Sequence, residues 1–217
     1  MYKWFTDPEM GPTVAIVLAF IVIGSICFHE VCHVVAAHYQ GDDTAIEQGY
    51  LTFNPLKLMG IMSLIVFFFA GIAWGAVPVD PRRFRNRWSD LVISLAGPAA
   101  NLLLFVVFSV VAAIVVLTSK EREDYHAIMM IFFFGSTMNL ALAFFNLLPV
   151  PMLDGFAVVR HFVPGFMRSM EKSEFMQIGY VVIIFLLFSL SKYLFIAAAS
   201  CSGLMIKEIT AACRLFS

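Results

Sequence analysis

Between Leu91 and Ser119 the chain runs for 29 residues without a formally charged side chain, and Tyr125 to Leu153 repeats that length. The hydrocarbon layer of a bilayer is about 30 Å thick and is crossed by roughly 20 apolar helical residues, so blocks of this length point to a chain built in lipid. Shorter uncharged runs occupy Gly11 to Phe28, Leu58 to Val79, Phe175 to Ser191 and Tyr193 to Ile206. In lipid the backbone must satisfy its own hydrogen bonds, which makes helices the expected element in most of these runs. Composition agrees: 61% of residues are hydrophobic and 13% charged, against about 45–50% and about 25% in soluble domains. A soluble globular protein is thereby excluded, and a net charge of −1 offers no general attraction to nucleic acid. The reading is an all-α polytopic membrane protein of about five to six hydrophobic segments.

The segments leave no room for a separate soluble domain, so we read residues 1–217 as one membrane-embedded domain, with a core at 13–165 and a C-terminal hydrophobic hairpin at 175–210 broken near Ser191-Lys192. Between the first two runs, Gly41-Asp42-Asp43-Thr44 reads as a turn. Gln48 to Phe53 suits a short strand ended by Asn54-Pro55, which makes a small β insert. Asp7 and Glu9 spoil a signal-peptide flank, and the N-terminal segment is expected to be retained. Cys27, Cys32, Cys201 and Cys213 have no framework spacing, which speaks against a disulfide scaffold, and are read as buried small apolar residues.

At the end of the first apolar run stands His29-Glu30-Val31-Cys32-His33. Histidines four apart share one helical face, and Glu30 sits one step around from them. This is the spacing with which two imidazoles bind one Zn²⁺ while a glutamate beside the open position takes a proton from water. Three ionisable residues within five positions of a membrane segment are costly, which favours a functional reading. The strongest candidate for a third ligand is Asp154, which follows the helix-breaking Pro149 and Pro151 and precedes Gly155. Asn101 follows Gly97-Pro98, on a helix expected to pack closely on the metal helix, and reads as a structural amide bonding across helices. His38 falls on the face opposite His29, and His126 and His161 lie at helix ends, so none of them is read as a ligand.

Together the segments His29 to His33, Ala96-Gly97-Pro98-Ala99-Ala100-Asn101 and Asn146-Leu-Leu-Pro-Val-Pro-Met-Leu-Asp154-Gly155 resemble the site-2 protease family of intramembrane zinc metalloproteases, over roughly residues 13 to 165. The chain is most similar to small members with a Gly-Asp-x-Thr turn and a Leu-Thr-x-Asn-Pro segment, here Gly41 to Pro55. It departs from them in carrying Leu58 and Gly60 where relatives often have a His and an Asp, and Phe156 where a second glycine is usual. The resemblance implies that His29, His33 and Asp154 bind zinc, Glu30 activates water, and Asn146 holds the substrate backbone or the developing oxyanion.

If one zinc touches His29, His33 and Asp154, the ends of the first and the Tyr125 to Leu148 helices lie at the same membrane face. Leu58 to Val79 must then be re-entrant, because a full crossing there would put those ends on opposite faces. Gly60, Gly71, Gly75 and Pro78 allow a bent path. This topology sets Lys57, Arg82, Arg83, Arg85, Arg87, Arg160, Arg168, Lys172, Lys207 and Arg214 on the active-site face and Lys3, Lys120, Arg122 and Lys192 on the other, a bias that makes the active-site face cytosolic in a cell membrane. Dropping the three residues that depend on the C-terminal hairpin leaves eight against three. The function expected is zinc-dependent cleavage of a transmembrane protein substrate, with the lipid bilayer as surroundings, no nucleic acid partner, and a homo-oligomer or a regulatory membrane partner left open. The alternative is a non-catalytic membrane zinc-binding protein or metal carrier, against which Glu30 speaks, since a storage site has no need of a base.

Overall fold

The structure, a computed structural model, describes residues 12–118, 125–150, 153–163 and 175–215, with no side-chain description for Pro12 and residues 175–189. The N-terminal segment, Lys3, the charged turn with Lys120 and Arg122, the pair Pro151-Met152, and Arg168 and Lys172 lie outside the described residues. Every regular element described is helical. In chain order these are α1 (Pro12–Tyr39), α2 (Thr44–Glu47), α3 (Pro55–Leu58), α4 (Gly60–Ala70), a 3-10 turn at Pro81–Arg83, α5 (Ser89–Thr118), α6 (Tyr125–Asn146), α7 (Asp154–Phe162) and α8 (Phe175–Leu215). Four described helices are long and apolar enough to cross a membrane, over Thr13–Tyr39, Ser89–Thr118, Tyr125–Asn146 and Leu190–Leu215.

The burial pattern is that of a protein solvated by lipid. Phe20, Phe68 and Phe69 face outward, whereas Ser25, Asn101, Ser109, Ser136, Asn139 and Ser202 are buried. Hydroxyls and amides glue helices where there is no water to compete for them. Ser109 Oγ lies 2.7 Å from Ser136 Oγ, which donates to Ser202 Oγ at 3.0 Å, so one chain of hydroxyls joins α5, α6 and α8. Ala112 and Ala113, both fully buried, let α5 approach its neighbours closely.

Residues 58–79 form a re-entrant hairpin. Left-handed glycines stand at both ends of α4, Gly60 with φ 74° and Gly71 with φ 67°, and Gly71 closes the helix by donating to Phe67 O. Eleven residues of helix rise only about 16 Å, half a bilayer. The chain then comes back: Ala76 N–H donates to Leu58 O at 3.0 Å. Irregular backbone at this depth needs internal partners. The buried Ser63 hydroxyl satisfies both groups of Trp74, donating to its carbonyl at 2.7 Å and accepting from its N–H at 2.9 Å. Leu58, Met59 and Phe67 pack on Ala19, Val22 and Ile26 of α1.

Two expectations are corrected. The small β insert is absent among the described residues: Thr44–Glu47 is helical and residues 48–53 form turns and bends. Tyr50 N–H folds back onto Ala45 O through Gly49 at φ 75°, and Asn54 begins a helix rather than ending a strand, its Oδ1 capping Leu56 N–H at 3.0 Å with Pro55 in the first turn. The C-terminal hairpin is likewise replaced by one 41-residue helix, Phe175–Leu215. Ser191-Lys192 contains neither proline nor glycine, and nothing there interrupts the helical ladder. All four cysteines are free, but only Cys27 is buried as expected; Cys32 is half-buried, and Cys201 and Cys213 are exposed on the last helix.

The far end of the re-entrant hairpin is latched to the turn that follows α1. Asp42, 1% exposed, accepts from Thr44 N–H and Oγ1 at 3.0 and 2.5 Å and from Asp80 N–H at 2.7 Å. Arg85 N–H donates to Gln40 O, Ser89 Oγ to Gln40 Oε1, and Arg83 pairs with Glu47. Burial alone would push the Asp42 carboxyl up, but the bonds from Thr44 and Asp80 outweigh it and hold it below the usual carboxylate range. A depressed carboxyl contributes stability above its unfolded pKa, about 3.9, and loses it as pH falls through the native value. Asp42→Ala is expected to cost about 2 kcal/mol at neutral pH, and its melting-temperature deficit in detergent should narrow only below about pH 4. A gap unchanged down to pH 3 would contradict the assignment.

Candidate metal centre

The 28 residues of α1 carry His29 and His33 one turn apart on a buried face, where both are 6% exposed. Each ring is held through Nδ1. His29 Nδ1 donates to Asn101 Oδ1 on α5 at 2.6 Å, and His33 Nδ1 donates to the Ile93 carbonyl of the same helix at 2.7 Å. With both Nδ1 atoms engaged as donors, both Nε2 atoms present lone pairs. These Nε2 atoms lie 3.0 Å apart, so two lone pairs face each other and repel unless a cation lies between them.

Asp154 supplies the third donor. It opens α7, and its Oδ2 lies 3.2 Å from His29 Nε2 while its Oδ1 lies 3.3 Å from His33 Nε2. Gly155 makes this placement possible, because a Cβ there would run into the carbonyls of Leu147 and Leu148. Arg160 at the other end of α7 pairs with Asp90 at 2.9 Å, and His161 stacks on Trp88, tying α7 to the start of α5. Among the described residues Asp154 Oδ2 is buried and makes no hydrogen bond, its near neighbour being the His29 Nε2 lone pair.

The three residues fit a zinc ion. The two imidazole nitrogens lie 3.0 Å apart and each lies 3.2–3.3 Å from a different Asp154 oxygen, close to the roughly 3.3 Å between donors on a zinc ion with bonds of about 2.0–2.1 Å, and one donor atom from each residue falls within 4.8 Å of the others. Among the described residues this is the group of His, Cys, Asp and Glu able to hold a metal ion. A cradle completes it: a Cβ on Gly97 would collide with the Nε2 atoms of both histidines. Sequence reasoning assigned Gly97 to helix packing, whereas it clears space for the donors themselves.

Glu30 is buried beside this triangle, its side chain lying along Gly75 of the re-entrant hairpin, where any Cβ would overlap its carboxylate. Asn146 ends α6 half-buried and has no hydrogen-bond partner among the described residues; it is not drawn into the donor triangle. His38 is apart from the site and bonds Asp43, and His126 stacks near Tyr125. The sequence reading missed Gly75, visible there only as one glycine of a bent path, and Asn139, which lies behind Asn101. Gly97→Ala should preserve helix content by circular dichroism while weakening zinc binding about tenfold or more in a chelator competition, since overfilling a tight site costs 1–3 kcal/mol. Wild-type affinity in that variant would contradict the cradle.

Comparison with known proteins agrees with the geometry. Residues 112–190 match the model of peptidase family M50. YwhC of Bacillus subtilis (strain 168), named as a zinc metalloprotease, is 34% identical over 78% of this chain and 78% of its own length. Rip2 of Mycolicibacterium smegmatis and MJ0611 of Methanocaldococcus jannaschii, named in the same way, are 32% and 30% identical over 85% and 72% of this chain and 73% and 75% of their own lengths. No solved structure matches the chain significantly. Membrane-spanning helices, a three-donor site that fits zinc and relatives of this kind lead to one conclusion: the chain belongs to the site-2 proteases, peptidase family M50, and is an integral membrane zinc metalloprotease.

Proposed function

We propose that the protein is an intramembrane endopeptidase, one domain over residues 1–217 with its catalytic core in 13–165, that hydrolyses peptide bonds of transmembrane proteins near the cytosolic face. His29, His33 and Asp154 hold the zinc, and Glu30 is the general base. The observation that carries this reading is the convergence of two imidazole lone pairs and a carboxylate 3.0–3.3 Å apart, beside a second buried carboxylate, on a helix otherwise apolar. A metal store needs only the first three groups.

Held by His29, His33 and Asp154, a zinc ion would supply a Lewis acid able to bring the pKa of water to about 7 and to polarise a carbonyl. Glu30 accepts the water proton as the new C–O bond forms at the scissile carbon. It returns that proton to the amide nitrogen as the C–N bond breaks, leaving a carboxylic acid and an amine, which settle as carboxylate and ammonium when the second water proton passes to the amine. The Asn146 amide donates to the substrate backbone or to the developing oxyanion.

A substrate helix must unwind before its peptide bonds are exposed, and its freed backbone groups then need partners. With residues 48–53 in turns, the irregular stretch 72–80, whose Gly75 lies on Glu30, is the segment suited to pair with it. Lys57, Arg82, Arg83, Arg85, Arg87 and Arg160 gather at the site's end of the helices, which favours a cytosolic active-site face in the cytoplasmic membrane. Glu30→Gln should bind zinc like the wild type and cleave a reconstituted transmembrane substrate about 10²–10⁴-fold more slowly. Cleavage at the wild-type rate would remove Glu30 from the mechanism.

A further inference from the structure

Behind His29 lies a row of amides whose hydrogen bonds all run in one direction. Asn101 Oδ1 accepts from His29 Nδ1, Asn101 Nδ2 donates to Asn139 Oδ1 at 3.0 Å, and Asn139 Nδ2 donates to Ser25 Oγ and to Gly135 O, each at 2.9 Å. Asn101 and Asn139 are fully buried and Ser25 nearly so. Buried to this degree, their polar atoms are expected to find partners within the protein.

The direction is set at the far end. Gly135 O is a backbone carbonyl and can only accept, so the nitrogen of Asn139 must face it. The oxygen of Asn139 therefore faces Asn101, whose nitrogen must point to Asn139 and whose oxygen must point to His29. An oxygen there admits only a protonated Nδ1, which leaves the Nε2 lone pair for the metal. From this chain of exclusions we propose that Asn139 is a positioning residue of the zinc site: acting through Asn101, it fixes His29 in the tautomer that can bind metal. The proposal rests on His29, His33 and Asp154 being the zinc ligands.

With a leucine at 139, the Asn101 amide loses its acceptor and is free to turn. Its NH₂ group can then face Nδ1 and favour the tautomer that carries its proton on the metal side. Groups that orient a ligating histidine are typically worth 10–100-fold in metal affinity. The test is zinc affinity of the full-length protein in detergent, measured by competition with a chromogenic chelator, for wild type, Asn139→Leu, Asn101→Leu, the double variant and Asn139→Asp. Both leucine single variants should bind zinc about 10–100-fold more weakly. The double variant should be no weaker than Asn101→Leu, because Asn139 acts only through Asn101. Asn139→Asp, as a neutral acid, keeps an acceptor for Asn101 and an O–H for Gly135 O, and should stay within a few-fold of wild type even if the leucine variant does not fold.

Wild-type affinity in Asn139→Leu, losses that multiply in the double variant, or an Asn139→Asp as weak as Asn101→Leu would each overturn the proposal. A His33→Ala protein that binds zinc as tightly as wild type would overturn the ligand set itself, and the proposal with it.

Discussion

Two imidazole lone pairs held 3.0 Å apart inside a membrane protein are tolerable only with a cation between them, and the architecture is arranged to keep them there. α5 fixes both rings from behind, through Asn101 and the Ile93 carbonyl, and clears the space in front with Gly97. α7, pinned by Arg160 to Asp90 and by His161 to Trp88, carries Asp154 to the third position. Remove the cation and the arrangement sets lone pairs and an unpartnered carboxylate oxygen against one another.

The same constraint shapes the topology. Donors at the end of α1 and at the start of α7 can share an ion only if an even number of crossings separates them, and α5 and α6 are those two. Residues 58–79 therefore turn back, and the hairpin meets lipid's demand for satisfied backbone through Ser63 and the Ala76–Leu58 bond. Its returning limb passes over Glu30 at Gly75 and is latched at Asp80 by Asp42. The hairpin thus covers Glu30, and the latch joins it to the helix that carries His29 and His33.

Much of this was legible in the chain because the signals were chemical rather than conformational. A histidine pair at helical spacing, an aspartate after two prolines and the parity of apolar runs need no knowledge of packing. The β insert was misread because Asn54-Pro55 serves equally to end a strand or to cap a helix, and only the surroundings decide. The C-terminal break was inferred from one lysine in an apolar run, a signal of polarity that says little about the helical ladder. Asn139, Gly75 and Gly97 gave no signal of these contacts in the sequence, because what distinguishes them is what stands opposite them: the amide of Asn101, the carboxylate of Glu30 and two imidazoles. Such pairings across 38 to 114 positions leave no local pattern.

The most direct test is the zinc content per chain, by elemental analysis, of purified wild type and of Asp154→Ala, with helix content and monodispersity matched. The account predicts about one zinc in the wild type and clear loss in the variant, since two imidazoles alone leave the site a ligand short. Full retention of zinc by Asp154→Ala would contradict it, because the ion would then not be what joins α1 to α7.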